Sequence, residues 1–240
     1  SRSLVELTWE NEVVWEYRDP MIHHDFVRLE NGNTMVLAFD HLGDEWMNKV
    51  KGGYTPDSEE YEGILGDVLR EITPDGEILK DISIYKLLDF DQDVICPLET
   101  RREWTHGNSV NLTPDGNFLV SFRLTHTVGI VDARGEKFLW KWGPGEIHHQ
   151  HNPTYLENGN ILIFDNGSHS KGMDHSRVIE VNPSTNEVEW EYTENPPHSF
   201  YSFHISSAER QPNGNTLICE GAFGRIFEVT KSGDVVWEYV

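Results

Sequence analysis

The chain has 240 residues, with 41 acidic against 19 basic side chains and a formal net charge of -22. This length suits one large all-β domain or two small ones. An acidic excess of this size repels phosphate backbones, which argues against nucleic acid as a partner, and any anion site must be built locally from cationic groups in a cleft.

The given chain holds no apolar run long enough to cross a bilayer and no signal peptide, and it opens Ser-Arg-Ser without a Met, as a chain processed at its start would. Cys96 and Cys219 lie far apart with no zinc-type spacing, so the sequence leaves open one disulfide or two thiols.

From the N-terminus, LVELTWENEVVWEY at Leu4 is a hairpin rich in β-branched and aromatic residues. HHDFVRLENGNTMVLAF at His23 is a second hairpin of a different kind, with an Asn-Gly turn. DVLREITPDGEILKDI at Asp67 is again of the first kind. The same alternation then recurs three times: HGNSVNLTPDGNFLVSFR from His106 with TVGIVDARGEKFLW, HNPTYLENGNILIF from His151 with SRVIEVNPSTNEVEW, and HISSAERQPNGNTLICEG from His204 with GRIFEVTKSGDVVWEY. The turn glycines Gly32, Gly116, Gly159 and Gly214 are expected in two-residue hairpin turns with positive φ. Residues 44–62 and 86–102 interrupt the pattern and are expected to be helical or irregular.

Two hairpins make a four-stranded antiparallel sheet, and such sheets in tandem read as propeller blades. The expected fold is therefore an all-β β-propeller, with four full blades and an N-terminal half-blade in one domain over residues 1–240, which is expected to belong to a longer propeller.

Counting back from the turn glycines, His24, Asn108, His151 and Ser206 stand at one position. Ile22, His106, His149 and His204 stand two residues earlier. Strand side chains alternate with period two, so both sets are expected on one face, lining a central channel. By the same count His23, His148 and the Asp25 side chain point away. His41, His126, His169, His175 and His198 are expected in loops or on other strands, as surface or supporting groups.

Clustered imidazoles can ligate a metal, exchange protons or attack an electrophile. Direct attack needs a phosphoryl- or sulfuryl-type centre and donors for its oxygens, and Arg123 at the end of its hairpin offers a planar fork for them. Two alternatives stay open: a metal-dependent propeller enzyme of lyase type using His24, His106, His149, His151 and His204, and a non-catalytic propeller serving as a binding module.

The run Glu-Trp-Thr-His-Gly-Asn-Ser-Val at residues 103–110, Ser-Phe-Arg at 121–123, His-His-Asp at 23–25, and Gln-His-Asn followed by Leu-Glu-Asn-Gly-Asn-Ile-Leu-Ile-Phe-Asp-Asn-Gly at 150–167 resemble the arylsulfotransferase family. The resemblance implies a six-bladed propeller that moves a sulfuryl group from a phenolic sulfate ester to a phenol without a nucleotide donor. It implies a sulfohistidine on His151, with His24, His106 and Arg123 holding the sulfuryl oxygens beside Asn108, a neighbouring histidine assisting the leaving phenolate, and His204 and His149 lining the substrate site. No cofactor is implied, and a periplasmic or extracellular location is. Asn152 departs from the family motif, which usually carries Asp or Glu there. Asn111-Leu-Thr and Asn166-Gly-Ser also match the glycosylation acceptor pattern.

Overall fold

The computed structural model describes residues 2–240, and the chain divides into two compact units. The first runs to Val110 and includes Arg134–Glu136; the second takes Asn111–Ala133 and Lys137–Val240.

The first unit opens on the hairpin β1 (Ser3–Leu7) and β2 (Val13–Arg18). It continues with β3 (Ile22–Arg28), β4 (Thr34–Leu42), the one-turn helix α1 (Asp44–Met47), β5 (Gly52–Tyr54), β6 (Ile64–Ile72), β7 (Ile78–Ser83) and β8 (Ile95–Thr100). Strands β3-β4-β6-β7 form a four-stranded antiparallel sheet. The two interruptions hold more order than the sequence promised: besides α1, β5 and β8 pair in parallel. Met35, Leu37, Leu69, Ile72 and Trp104 are buried in this unit.

After β9 (Gly107–Leu112), the second unit contains β10 (Phe118–Phe122), β11 (Thr127–Val131), β12 (Phe138–Trp142), β13 (His151–Tyr155), β14 (Ile161–Asp165), β15 (Arg177–Asn182), β16 (Glu187–Tyr192), β17 (Ser207–Arg210), β18 (Thr216–Glu220), β19 (Arg225–Val229) and β20 (Val235–Tyr239). They extend the pattern as sheets β9 to β12, β13 to β16 and β17 to β20, each in sequence order. Every four-stranded sheet is thus two consecutive hairpins, the blade that the repeat predicted.

Burial explains the patterning. Ile161–Asp165 and Phe118–Phe122 are buried along their whole length, so they read as mostly apolar runs, with only Asp165 and Ser121 polar, rather than alternating ones. Leu119, Val128, Ile147, Ile161 and Ile179 form one core of the second unit, and Leu162, Phe164, Phe200, Ile218 and Phe227 form another. Each such side chain contributes roughly 1.5–3 kcal/mol on burial. Outer strands such as β16 and β20 remain largely exposed.

The turns differ from the two-residue form expected. Leu29 N–H donates to Asn33 O, and Gly32 N–H donates to Leu29 O. The same pair recurs at Thr113 with Gly116, Leu156 with Gly159, and Gln211 with Gly214. These are three-residue loops in which the glycine alone is left-handed, with φ between 74° and 87°. Cys96 and Cys219 form no disulfide.

Candidate active site

The segments that lead into the inner strands are not regular strand. His24, His106 and His149 have φ of 52°, 53° and 59°, Asn152 has 49°, and Ile205 and Ser206 have 49° and 90°. Pairing shifts between Ile22 and Phe26 in β3 and between His151 and Thr154 in β13. A left-handed residue redirects the chain, so the two-residue alternation that placed these side chains on one face does not hold there. Non-glycine residues adopt this conformation at a cost of order 1–3 kcal/mol, and such positions gather at functional sites.

In the first unit this geometry builds a chain of imidazoles between two carboxylates. His23 is not turned away to the surface: its side chain is 3% exposed and lies flat on Phe39. Its Nε2 is 3.0 Å from Asp67 Oδ1, and its Nδ1 is 2.9 Å from Nδ1 of the exposed His24. The His24 ring meets the His106 ring at 4.6 Å, edge to face. His106 Nδ1 lies 2.6 Å from Glu103 Oε2, so Nδ1 carries the proton and Nε2 the lone pair when this ring is neutral.

Asp67 is fully buried in the middle of β6. Burial pushes its carboxyl up. His23, the Thr105 hydroxyl and the Gly107 N–H outweigh that and hold it below the ordinary range. Asp25 is neither a ligand nor idle: it accepts from Val110 N–H and ties β3 to β9, and burial raises its pKa. Asn108 is buried in β9.

The second unit treats its histidines differently. His151 is half-buried at the start of β13, and its Nδ1 lies 2.7 Å from Asn166 Oδ1. Asn166 is fully buried, and its amide nitrogen donates to Ser202 O at 2.7 Å and Ile205 O at 2.9 Å. Those two carbonyls fix which way the amide points. Its oxygen must face His151 and accept from Nδ1–H, so Nε2 carries the lone pair. The buried Asn166 is no glycosylation acceptor.

Four further imidazoles gather in the same unit. The His126 ring lies 5.2 Å from His148 and 4.7 Å from His149, and His149 lies 4.6 Å from His169. His126, His148 and His169 are therefore cluster members rather than isolated surface or supporting groups. His126 Nδ1 accepts the His149 N–H, which leaves its proton on Nε2. Burial, with the neighbouring His148, His169 and Arg123 charges, lowers its pKa to about 4. His149, also buried, is held neutral by burial and by Arg123. Gln150 is buried as well and donates to Ser121 Oγ, Phe122 O and Thr127 O, anchoring the His148–His151 segment.

Of the sequence-predicted residues, the structure brings His24 and His106 together in the first unit. In the second it brings His149 close to the charge of the half-buried Arg123. His204 stacks on Phe203 at 4.2 Å, and its loop reaches the His151 group through Ser202, Ile205 and Asn166. Sequence reasoning missed His23, Asp67, Glu103 and Asn166 as members. Glu103, Thr105 and Asn166 lay inside the motifs already singled out, whereas nothing marked Asp67.

The family model for arylsulfotransferase (ASST) matches residues 5–240. This chain belongs to the arylsulfotransferase family. Membership supports an aryl sulfotransferase-type function in general terms. Among solved structures, the chain is similar to a protein of unknown function from Bacteroides caccae (17% identity, TM-score 0.57, covering 98% of this chain and 73% of that one). It is also similar to virginiamycin B lyase from Staphylococcus aureus (13% identity, TM-score 0.53, covering 99% of this chain and 58% of that one). At these identities the likeness shows the fold alone, a β-propeller. No curated protein sequence matches the chain. Among the described residues no helix is long and apolar enough to cross a membrane.

Proposed function

We propose that this arylsulfotransferase family member moves a sulfuryl group from a phenolic sulfate ester to a phenolic acceptor through a sulfohistidine on His151, with no nucleotide donor. The observation that carries the reading is the Asn166 lock. An imidazole is a nucleophile only through an unprotonated nitrogen, and the carbonyls of Ser202 and Ile205 orient the amide that keeps the His151 proton on Nδ1.

In this reading His151 Nε2 attacks sulfur, the S–O bond to the phenol breaks, and an acceptor phenol later takes the sulfuryl group from nitrogen. Arg123 supplies fixed positive charge to the sulfuryl oxygens; His24, His106 and Asn108 are the residues to which the family resemblance gives an oxygen-holding role. His149 and His204 line the substrate site. His149 is well suited to this because it stays neutral and adds no competing proton. The expected location is periplasmic or extracellular.

The decisive experiment is release of 4-nitrophenol from 4-nitrophenyl sulfate with phenol as acceptor. Acceptor-dependent turnover with ping-pong kinetics and a trapped, acid-labile sulfo-adduct on His151 supports the reading. No turnover by the folded protein sinks it.

A further inference from the structure

One hydrogen-bonded side chain away from His151, the second unit holds a turn that its sequence does not favour. Ile205 and Ser206 have φ of 49° and 90°. Among the described residues Ile205 is the one β-branched side chain with a left-handed backbone, a conformation in which a branched Cβ crowds its own carbonyl. Ser206 occupies ground that ordinarily suits glycine. Two such residues in a row persist only where their surroundings impose them, and they gather at functional sites.

Groups of the same unit hold the turn. The Ser206 hydroxyl donates to Ser202 Oγ at 2.8 Å and accepts the Gly221 N–H at 3.0 Å. Ser202 Oγ in turn donates to His204 O at 3.1 Å and accepts the Ala222 N–H at 3.0 Å. Ser202 is sealed from solvent, and its own N–H donates to Ser176 Oγ, which donates to Asn166 O. The turn also lies directly on Gly221. A Cβ there would stand 2.8 Å from Ile205 Cγ1 and Cδ1 and 3.2 Å from Ser206 N. The hydrogen bonds and this close approach together fix the turn.

What the turn sets is the peptide plane between Ile205 and Ser206, whose carbonyl accepts the Asn166 amide at 2.9 Å. A Ser206 φ of ordinary negative sign would swing that carbonyl away. Asn166 would then keep only the Ser202 carbonyl, and an amide held by one carbonyl turns over more readily. A reversed amide donates to His151 Nδ1, which moves the ring proton to Nε2 and removes the lone pair that attacks. We infer that Ser206 is a positioning residue for the nucleophile, acting with Ser202 and Gly221. It holds the left-handed turn that aims Ile205 O at Asn166, and so keeps the His151 proton on Nδ1. The inference rests on the sulfuryl-transfer reading only for what His151 attacks.

The test is the 15N spectrum of the His151 imidazole in wild type, Ser206→Gly and Gly221→Ala, with turnover of 4-nitrophenyl sulfate measured beside it. Glycine at position 206 accepts the observed φ and removes the hydroxyl. Alanine at position 221 leaves that hydroxyl in place and crowds Ile205 instead. The neutral wild-type ring is expected to carry its proton on Nδ1. Each variant is expected to show a mixture with the Nε2–H form and to lose about tenfold in kcat/KM, the order of one hydrogen bond. A merely structural role for Ser206 would lower the melting temperature and leave the tautomer alone.

A wild-type ring protonated chiefly on Nε2, or a tautomer unchanged in the variants that fold, overturns the inference and leaves Ser206 a packing group. If the folded wild type turns over no sulfate ester, the sulfuryl reading fails separately, and the 15N spectra alone decide the positioning role.

Discussion

The two units solve the problem of orienting an imidazole in opposite ways. In the first, the histidines end on carboxylates: His23 on buried Asp67 and His106 on Glu103. In the second, His151 ends on an amide oxygen, His126 accepts a backbone N–H, and His149 sits near Arg123. A carboxylate favours the imidazolium, whereas an amide oxygen orients the ring without adding charge, and burial beside a cation disfavours protonation. The first unit thus orients its imidazoles with carboxylates, and the second with an amide oxygen, a backbone N–H and burial.

The sharpest way to break this comparison is His151→Ala. It is expected to lower kcat/KM on 4-nitrophenyl sulfate by at least about 10³-fold, as loss of a covalent nucleophile does, with a melting temperature within about 4 °C of wild type because the side chain is only half-buried. A comparable loss on replacing His106 alone, with His151→Ala still active, would reverse the roles of the two units.

Next in size is Gly167→Ala. Gly167 has φ of 70°, and a Cβ there would lie 1.8 Å from His175 O. Its N–H also donates to His148 O, so the residue ties the Asn166 turn to the histidine segment. The substitution is expected to cost about 3 kcal/mol or more in urea unfolding and to release Asn166 from His151.

Much of the fold was legible because each blade repeats two hairpins with their own turn residues, and both hairpins were placed correctly in all four sheets. The site was legible only as composition. His24, His106, His149 and His151 were found by aligning repeats, but their directions were assigned by a period of two that the left-handed backbone at His24, His106 and His149 does not obey. Hence His23 was turned to the opposite face, as a surface or supporting group, although it is the most enclosed imidazole of the first cluster. Asp67 could not be found at all, since it is an acidic residue within a strand in a chain with 41 acidic residues, and only folding brings it to His23.

The neutral character of the second cluster has a stability signature of intermediate size. Burial lowers the His126 pKa to about 4 from an ordinary value of 6.5. The folded state therefore binds fewer protons than the unfolded state between those values. The stability of the neutral form is fully present above pH 6.5 and is lost as pH falls towards 4. The loss is expected to reach about 2–3 kcal/mol, read as a falling urea midpoint. His126→Gln should flatten that slope, while an unchanged slope would mean that His126 is solvated and that the contrast between the units is overstated.

The smallest expected effect is the most diagnostic for His151. Asn152 stands where the family motif usually carries an acid, which makes Asn152→Asp a restoration. Asx side chains tolerate its φ of 49°, so the backbone should not object. A carboxylate beside His151 favours the imidazolium, so the acid limb of the kcat/KM profile should move to higher pH, by less than about one unit. Because Nδ1 is already held by Asn166, kcat on the plateau should change by no more than about threefold. A tenfold gain would show that the amide alone leaves His151 poorly oriented, and that this chain departs from its family in the strength of its nucleophile as well as in sequence.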